Sequence, residues 1–188
     1  MEPIIFQPQT RNYDLRLATD MPSAWGNIPS ILNELISKFN IKTDSAIEFG
    51  VEFGYSTSAL ANLFNTVTGI DTFTGDEHAG FKGDIFEATT SYLSSYDNVN
   101  LIKSNYQDFT LSHTLHYNMA HVDIVHTYDD TYACGEWCVN HADVVIFHDT
   151  MLFPAVMEAC KDLANKYDLE FHNYEESYGL GILVNKNK

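Results

Sequence analysis

The segment Ser45-Ala-Ile-Glu-Phe-Gly-Val-Glu-Phe-Gly-Tyr-Ser-Thr57, followed by Val67-Thr-Gly-Ile-Asp71, constrains this chain more than any other. An apolar run ends in a glycine-punctuated turn. An apolar-periodic stretch from Ser58 to Phe64 follows, and a second apolar run ends in an acid. That order predicts strand, turn, helix, strand, with Asp71 at the carboxyl end of the second strand. Ligands of open α/β sheets bind outside the carboxyl ends of the strands. Gly50 and Gly54 let the backbone turn tightly and come close to a ligand. Asp71, about 20 residues beyond the turn, is placed to accept hydrogen bonds from ribose hydroxyls. The implied ligand contains a nucleoside.

The turn spacing narrows the ligand further. A dinucleotide fingerprint needs G-x-G-x-x-G to seat a pyrophosphate on a helix N-terminus. This chain has G-x-x-x-G, preceded by Glu48. An acid there is a poor neighbour for a pyrophosphate and suits a ligand carrying positive charge. Net charge points the same way. The chain carries a formal charge of −16 over 188 residues, with only 10 Lys plus Arg. Such a surface repels phosphate backbones and anionic membranes, so nucleic acid is not the expected substrate.

The length suits one domain with a sizeable core. Three cysteines, Cys134, Cys138 and Cys160, are too few and too odd for a disulfide framework. Cys134, Cys138 and His141 share a predicted helix but match no standard zinc spacing. The N-terminus lacks the basic and apolar regions of a signal peptide, and no apolar run is long enough to span a bilayer. A cytoplasmic location is the expectation.

Residues 1–24, with Pro3, Pro8 and Pro22, lack periodicity and read as an extended arm over a sheet edge or a site mouth. Helical spacing runs from Ile28 to Phe39. Strands are expected at 45–49, 67–71, 99–103, around 121–125, and at 143–147, 169–174 and 179–184. Helices are expected near 56–65, 84–96, 130–140 and 154–166. Strands and helices alternate until a closing hairpin, which predicts a mostly parallel sheet with an antiparallel edge.

The block Glu48-Phe-Gly-Val-Glu-Phe-Gly-Tyr-Ser56 resembles motif I of class I S-adenosylmethionine-dependent methyltransferases. It is most similar to the small-molecule and sugar O-methyltransferases of the catechol O-methyltransferase-like and macrocin types. The resemblance runs from about residue 45 to 184. It implies a Rossmann-like, doubly wound, seven-stranded sheet with an antiparallel last strand and helices on both faces. Residues 1–44 would be an arm and helix, and 45–188 the methyltransferase domain. Glu48, Gly50, Glu52, Gly54, Tyr55, Ser56, Asp71, Thr72, Phe73, Tyr106, Gln107 and Asp123 are then the expected cofactor-binding residues. Ser56 and Thr57 also suit a helix N-cap.

Two downstream segments carry the implied chemistry. His121-Val-Asp-Ile-Val-His-Thr-Tyr128 is similar to the H-I-D-G-x-H-x-Y pattern of that group, with Ile124 in place of the glycine. By the same resemblance Asp123 and Asp149 match magnesium ligands, and Thr150 stands where an asparagine ligand is usual. His126 stands at the position of a catalytic lysine, so His126 and Asp149 are the expected catalytic pair. Asp76 and His78, in a glycine-flanked loop after Asp71, are candidates to touch substrate. The implied reaction is methyl transfer from S-adenosylmethionine to a hydroxyl of a small-molecule or sugar acceptor, with Mg2+ as a candidate helper and a homodimer as a candidate assembly. A nicotinamide-dependent oxidoreductase and a non-catalytic cofactor-binding partner are the alternatives.

Overall fold

The computed structural model describes residues 2–9, 25, 28–76, 78–79 and 82–186. In chain order the elements are β1 (Ile4–Ile5), α1 (Ile28–Lys38), β2 (Ser45–Phe49), α2 (Tyr55–Leu63), β3 (Thr66–Asp71), α3 (Phe86–Leu93) and β4 (Val99–Lys103). There follow α4 (Tyr106–Thr110), β5 (Tyr117–Val122), α5 (Tyr128–His141), β6 (Ala142–His148), α6 (Pro154–Tyr167), β7 (Leu169–Tyr174) and β8 (Leu180–Asn185). They build one sheet in the order β1-β7-β8-β6-β5-β2-β3-β4. All pairings are parallel except those of β8, which runs antiparallel to both β6 and β7.

The doubly wound sheet with its antiparallel C-terminal hairpin is the expected fold, extended by one strand. The eighth strand is β1, whose Ile4 and Ile5 pair with His172 and Asn173 of β7. Two residues are too short to show an alternating pattern in sequence. The expected arm therefore covers a sheet edge at Ile4–Ile5, while positions 10–24 lie outside the described residues. None of the described helices is long and apolar enough to cross a membrane.

The uninterrupted apolar runs become strands buried on both faces, as parallel sheets require. Side chains alternate between faces along each strand. In β6, Val144 and Ile146 join the core beneath α1 and α2. Val145 and Phe147 join the opposite core beneath α5 and α6. The same alternation sends Ala46 of β2 to the first face and Ile47 and Phe49 to the second. Each such buried side chain contributes roughly 1.5–3 kcal/mol, so the fold rests on these two cores rather than on any single contact.

The sheet reverses its winding between β2 and β5, which lie side by side. A crevice opens at such a switch point, outside the carboxyl ends of the strands. Backbone bonds tie three strand ends together there. The Gly50 N–H donates to the Ile70 carbonyl (2.9 Å) and the Asp123 N–H to the Phe49 carbonyl (2.8 Å). Gly50 sits at φ +91, and a Cβ on it would lie 1.7 Å from the Asp123 carbonyl oxygen. Gly54, at φ +86, would instead meet the flexible Leu93 side chain at 2.7 Å. We predict that Gly50→Ala destabilises the fold by roughly 3 kcal/mol or more, and Gly54→Ala by less. Urea melts of the two variants check this; equal effects would show that the backbone crossing at Gly50 is not the tighter constraint.

Candidate active site

A cavity of about 830 Å³ opens over the carboxyl ends of β2 to β6. Its walls include Gly50 and Glu52 after β2, Asp71 at the end of β3, Tyr106 and Gln107 after β4, and Asp123 after β5. His148 and Asp149 come from the end of β6, and His78, His126, Phe153 and Tyr178 from surrounding loops. The wall residues that follow β2 to β6 are thus set by where each strand stops.

Asp71 organises the glycine turn. Its Oδ2 accepts the backbone N–H groups of Val51 and Glu52, both at 2.8 Å. Its Oδ1 accepts the Phe73 N–H at 2.7 Å. A carboxylate oxygen has two lone pairs, so Oδ2 is filled, whereas beside the Phe73 bond Oδ1 has only a long 3.5 Å contact from the Thr72 hydroxyl, which a ligand hydroxyl can displace. Glu52 takes φ +52 on this turn. Burial, and then the charges of Asp123, Asp71 and Asp76, raise its carboxyl above the ordinary value. Helix α2 starts immediately afterwards with Gly54 as N-cap and no side-chain cap. Its first-turn amides therefore have no side-chain acceptor, and Tyr55 and Ser56 line the cavity.

Across the cavity, Tyr106 and Gln107 are steered by Asp130 of α5. The Tyr106 hydroxyl donates to Asp130 Oδ1 at 2.9 Å, and Gln107 Nε2 reaches the same oxygen at 3.4 Å. Burial and the Asp130 carboxylate push the Tyr106 phenol well above its ordinary pKa, so it is a donor, not a base.

The deep end holds two acids and two histidines. His126 Nε2 lies 2.9 Å from Asp149 Oδ2 and 3.4 Å from Asp123 Oδ1. His148 Nδ1 lies 3.1 Å from Asp123 Oδ2 and 3.5 Å from Asp149 Oδ1. Burial disfavours the charged His126 ring, but its hydrogen bonds to Asp123 and Asp149 and their charges outweigh this and raise it to about 9. Burial likewise opposes charge on Asp123, yet His148, His126 and His121 hold its carboxyl far below the usual range. His126 stacks on Phe153 with ring centroids 4.2 Å apart. Its backbone N–H points at His78 Nδ1, 3.4 Å away. The Asp76 carboxylate shapes that loop by accepting the N–H groups of His78 and Ala79.

The model of a methyltransferase-domain family matches residues 47–150, more than half of the chain. This chain belongs to the methyltransferase-domain family. No curated protein matches it in sequence. Among solved structures, the O-methyltransferase NovP has a TM-score of 0.66 at 17% identity, over 85% of this chain and 78% of that one. The O-methyltransferase TomG from Streptomyces achromogenes, involved in tomaymycin synthesis and solved in complex with SAM, has a TM-score of 0.62 at 16% identity, over 84% and 79%. An rRNA methylase from Streptococcus thermophilus has a TM-score of 0.56 at 16% identity, over 83% and 95%. At these identities the likeness is one of fold.

Several expected site residues of this methyltransferase have other positions. Glu48 is fully buried and is not part of the cavity wall. It accepts from the Thr57 hydroxyl and, at 2.8 Å, from His121 Nδ1. Burial works against the His121 charge, but the Glu48 bond and charge prevail and raise its pKa. Phe73, also expected at the cofactor, is fully buried against Val51 and Leu93, because φ +56 turns it inward. Gly54 lies outside the cavity wall and faces Leu93 of α3. Thr150 is buried and donates to Asn173 Oδ1 at 2.6 Å. It is not part of the cavity wall. Cys134 and Cys138 are buried core thiols, and His141 bonds the Trp137 carbonyl.

Other residues enter that the sequence reading did not select. His148 is the chief one, 7% exposed and inside the acid cluster. Trp25 packs on it with ring centroids 4.1 Å apart and lines the cavity. On a strand, His148 and Asp149 would face opposite sides. Asp149 takes φ +64 as β6 ends, and this left-handed turn brings both side chains to one point. No periodicity argument signals it.

Asp123, His148 and Asp149 each offer one ligand atom, all within 4.8 Å of one another. One imidazole among these donors departs from the all-oxygen set that Mg2+ prefers. The expected magnesium ion therefore fits this donor set poorly. The buried Glu48–His121 pair yields a prediction of its own. Removing one member leaves a buried group without its partner, so Glu48→Gln or His121→Ala should each cost roughly 3–5 kcal/mol. The double variant should cost clearly less than the sum, as measured by denaturant melts. Additive effects would mean that the two side chains act independently.

Proposed function

We propose that the cavity binds S-adenosylmethionine and that the enzyme methylates a hydroxyl oxygen of a small-molecule or sugar acceptor. One observation carries the donor assignment. Glu52, Asp71, Asp76, Asp123, Asp130 and Asp149 line the cavity, and no Lys or Arg does among the described residues. Such a lining attracts a cationic sulfonium and ammonium and repels a pyrophosphate. It therefore weighs against a nicotinamide dinucleotide. The SAM bound in TomG, on the same fold, supports the reading.

When bound, the donor supplies an electrophilic methyl carbon, transferred as its carbon–sulfur bond breaks and a carbon–oxygen bond forms. This chain's residues would do the rest. Asp71 Oδ1 would accept a ribose hydroxyl. The uncapped first turn of α2 at Tyr55 and Ser56 would hold the amino-acid carboxylate. Tyr106 and Gln107, held by Asp130, would flank the base. His78 and Phe153 would shape the acceptor side and exclude water. His126 would take the acceptor's proton. It stands protonated between Asp123 and Asp149 in the free cavity, so the base role requires those carboxylates to engage other partners. Divalent-metal assistance at Asp123 and Asp149 belongs to this reading. The acidic surface favours a small acceptor over nucleic acid.

Calorimetric titration tests the donor site. S-adenosylmethionine and S-adenosylhomocysteine should bind, and NADH should not. Asp71→Asn should weaken binding at least roughly tenfold, the effect of losing a hydrogen bond to a charged group. Binding of NADH alone would overturn the donor assignment. With an acceptor in hand, His126→Gln should lower kcat by roughly 10²–10⁴-fold, with donor affinity nearly unchanged. Full activity in that variant would remove His126 from the proton transfer.

A further inference from the structure

We propose that the acceptor is an amine carrying a ring hydroxyl: a cation with a flat apolar body, not a sugar and not an anionic, carrier-linked substrate. This acceptor class rests on the proposed methyl transfer and narrows it. Charge selects the acceptor as well as the donor. Six acids line the cavity, with no Lys or Arg among the described residues. S-adenosylmethionine would bring a sulfonium and an ammonium against one carboxylate. Even if His78, His126 and His148 were all protonated, the six acids would outnumber those positive charges. The donor-loaded cavity stays negative, so an anionic acceptor meets repulsion in a partly desolvated cleft. Asp149 supplies an independent observation. It is 7% exposed and lines the cavity, and its Oδ1 is buried without a hydrogen-bond partner. An ammonium or a hydroxyl can donate to that oxygen; a carboxylate or a phosphate dianion cannot.

The body of the acceptor is read from the β6 side of the cavity. Leu152 and Tyr178 line it and are 51% and 52% exposed, so large apolar side chains stand at the mouth. The Met151 N–H donates to the Tyr178 carbonyl at 2.8 Å, and a Cβ on Gly179 would lie 2.5 Å from the Met151 nitrogen. The β7–β8 turn is thus pressed onto the turn after β6, which fixes this lip. Further in, Phe153 stacks on His126 with ring centroids 4.2 Å apart and lies 5.0 Å from His78. These rings give a flat acceptor a surface beside the proposed base, and aromatic faces also attract an ammonium. The neutral hydrogen-bonding side chains Ser56, Thr72, Ser104, Asn105 and Gln107 follow β2, β3 and β4, on the donor side. A sugar would therefore find few partners for its hydroxyls at the β6 side. Asp71 is engaged with the glycine turn, Asp130 with Tyr106, and Asp123 and Asp149 with histidines. That leaves Glu52 and Asp76 to face the ammonium. Burial, and then the charges of Asp123, Asp71 and Asp76, raise the Glu52 carboxyl, a crowding that a bound cation relieves. A protonated amine has no lone pair, so the methyl group goes to the hydroxyl oxygen.

Four probes test this: tyramine, para-cresol, para-hydroxyphenylacetate and methyl glucoside. At about pH 7 the phenols keep their hydroxyl protons and differ in charge. Calorimetry of the full chain, with and without S-adenosylhomocysteine, reads each affinity. Tyramine should bind roughly tenfold or more tightly than para-cresol, and para-hydroxyphenylacetate more weakly than para-cresol by a similar factor. Methyl glucoside should show no binding. The tyramine preference should shrink as salt rises. Glu52→Gln and Asp76→Asn should each reduce it at least roughly threefold, with para-cresol affinity nearly unchanged. The wild-type order needs no variant and stands even if Asp76→Asn fails to fold. Absence of tyramine binding, or para-hydroxyphenylacetate or methyl glucoside binding as tightly as tyramine, would overturn the proposal. So would a tyramine preference unchanged in both variants, the mark of a cation held by the acidic surface at large. S-adenosylhomocysteine is also titrated alone. Its binding together with the wrong probe order would sink the acceptor class alone, and the expected probe order without its binding would sink the donor reading alone.

Discussion

The site depends on one backbone crossing. Where β2 ends, Gly50 passes beneath the carbonyl of Asp123, so closely that a Cβ there would lie 1.7 Å from its oxygen. Two hydrogen bonds, Gly50 to Ile70 and Asp123 to Phe49, lock β2 between β3 and β5. That contact decides where Asp71 and Asp123 stand relative to each other. It makes one cavity of what would otherwise be two separate strand ends. The glycine usually read as a concession to a ligand is here a concession to the protein's own backbone.

Around that crossing, acids gather at strand ends and are kept tolerable by histidines. Glu48 is paired with His121 in the layer below, and Asp123 and Asp149 are bridged by His126 and His148 above. Like charges this close would repel strongly in a partly desolvated cleft. The imidazoles hold the cluster together, and one carboxylate oxygen, Asp149 Oδ1, is left without a hydrogen bond. A chain with formal charge −16 thus concentrates its negative field where the proposed cationic methyl donor would enter.

Much of this was legible in the sequence, for identifiable reasons. The strands at 45–49, 99–103 and 169–174 match β2, β4 and β7 residue for residue, because turn residues or charges bound their apolar runs. Asp71 and the turn at Gly50 were placed correctly because glycine spacing and a terminal acid are local signals. β1 and the five-residue α4 were missed because neither is long enough to establish a period. Phe73 was misplaced because its direction depends on a positive φ that no pattern reports. His148 was passed over for a related reason. Only the left-handed turn at Asp149 brings two consecutive side chains to the same point. Thr150 stands outside the cavity wall, where its hydroxyl donates to the buried Asn173 of β7. Resemblance located the segments; tertiary contacts decided which side chains within them face the cavity.

The central claim is that one cavity at the Gly50 crossing places the methyl donor between Asp71 and the acid–imidazole cluster. A crystal structure with S-adenosylhomocysteine bound tests it most directly. The account predicts a ribose hydroxyl on Asp71 Oδ1, the amino-acid end at the first turn of α2, and the sulfur turned toward Asp123 and His126. A ligand bound elsewhere, or one in this cavity whose ribose makes no contact with Asp71, would contradict it.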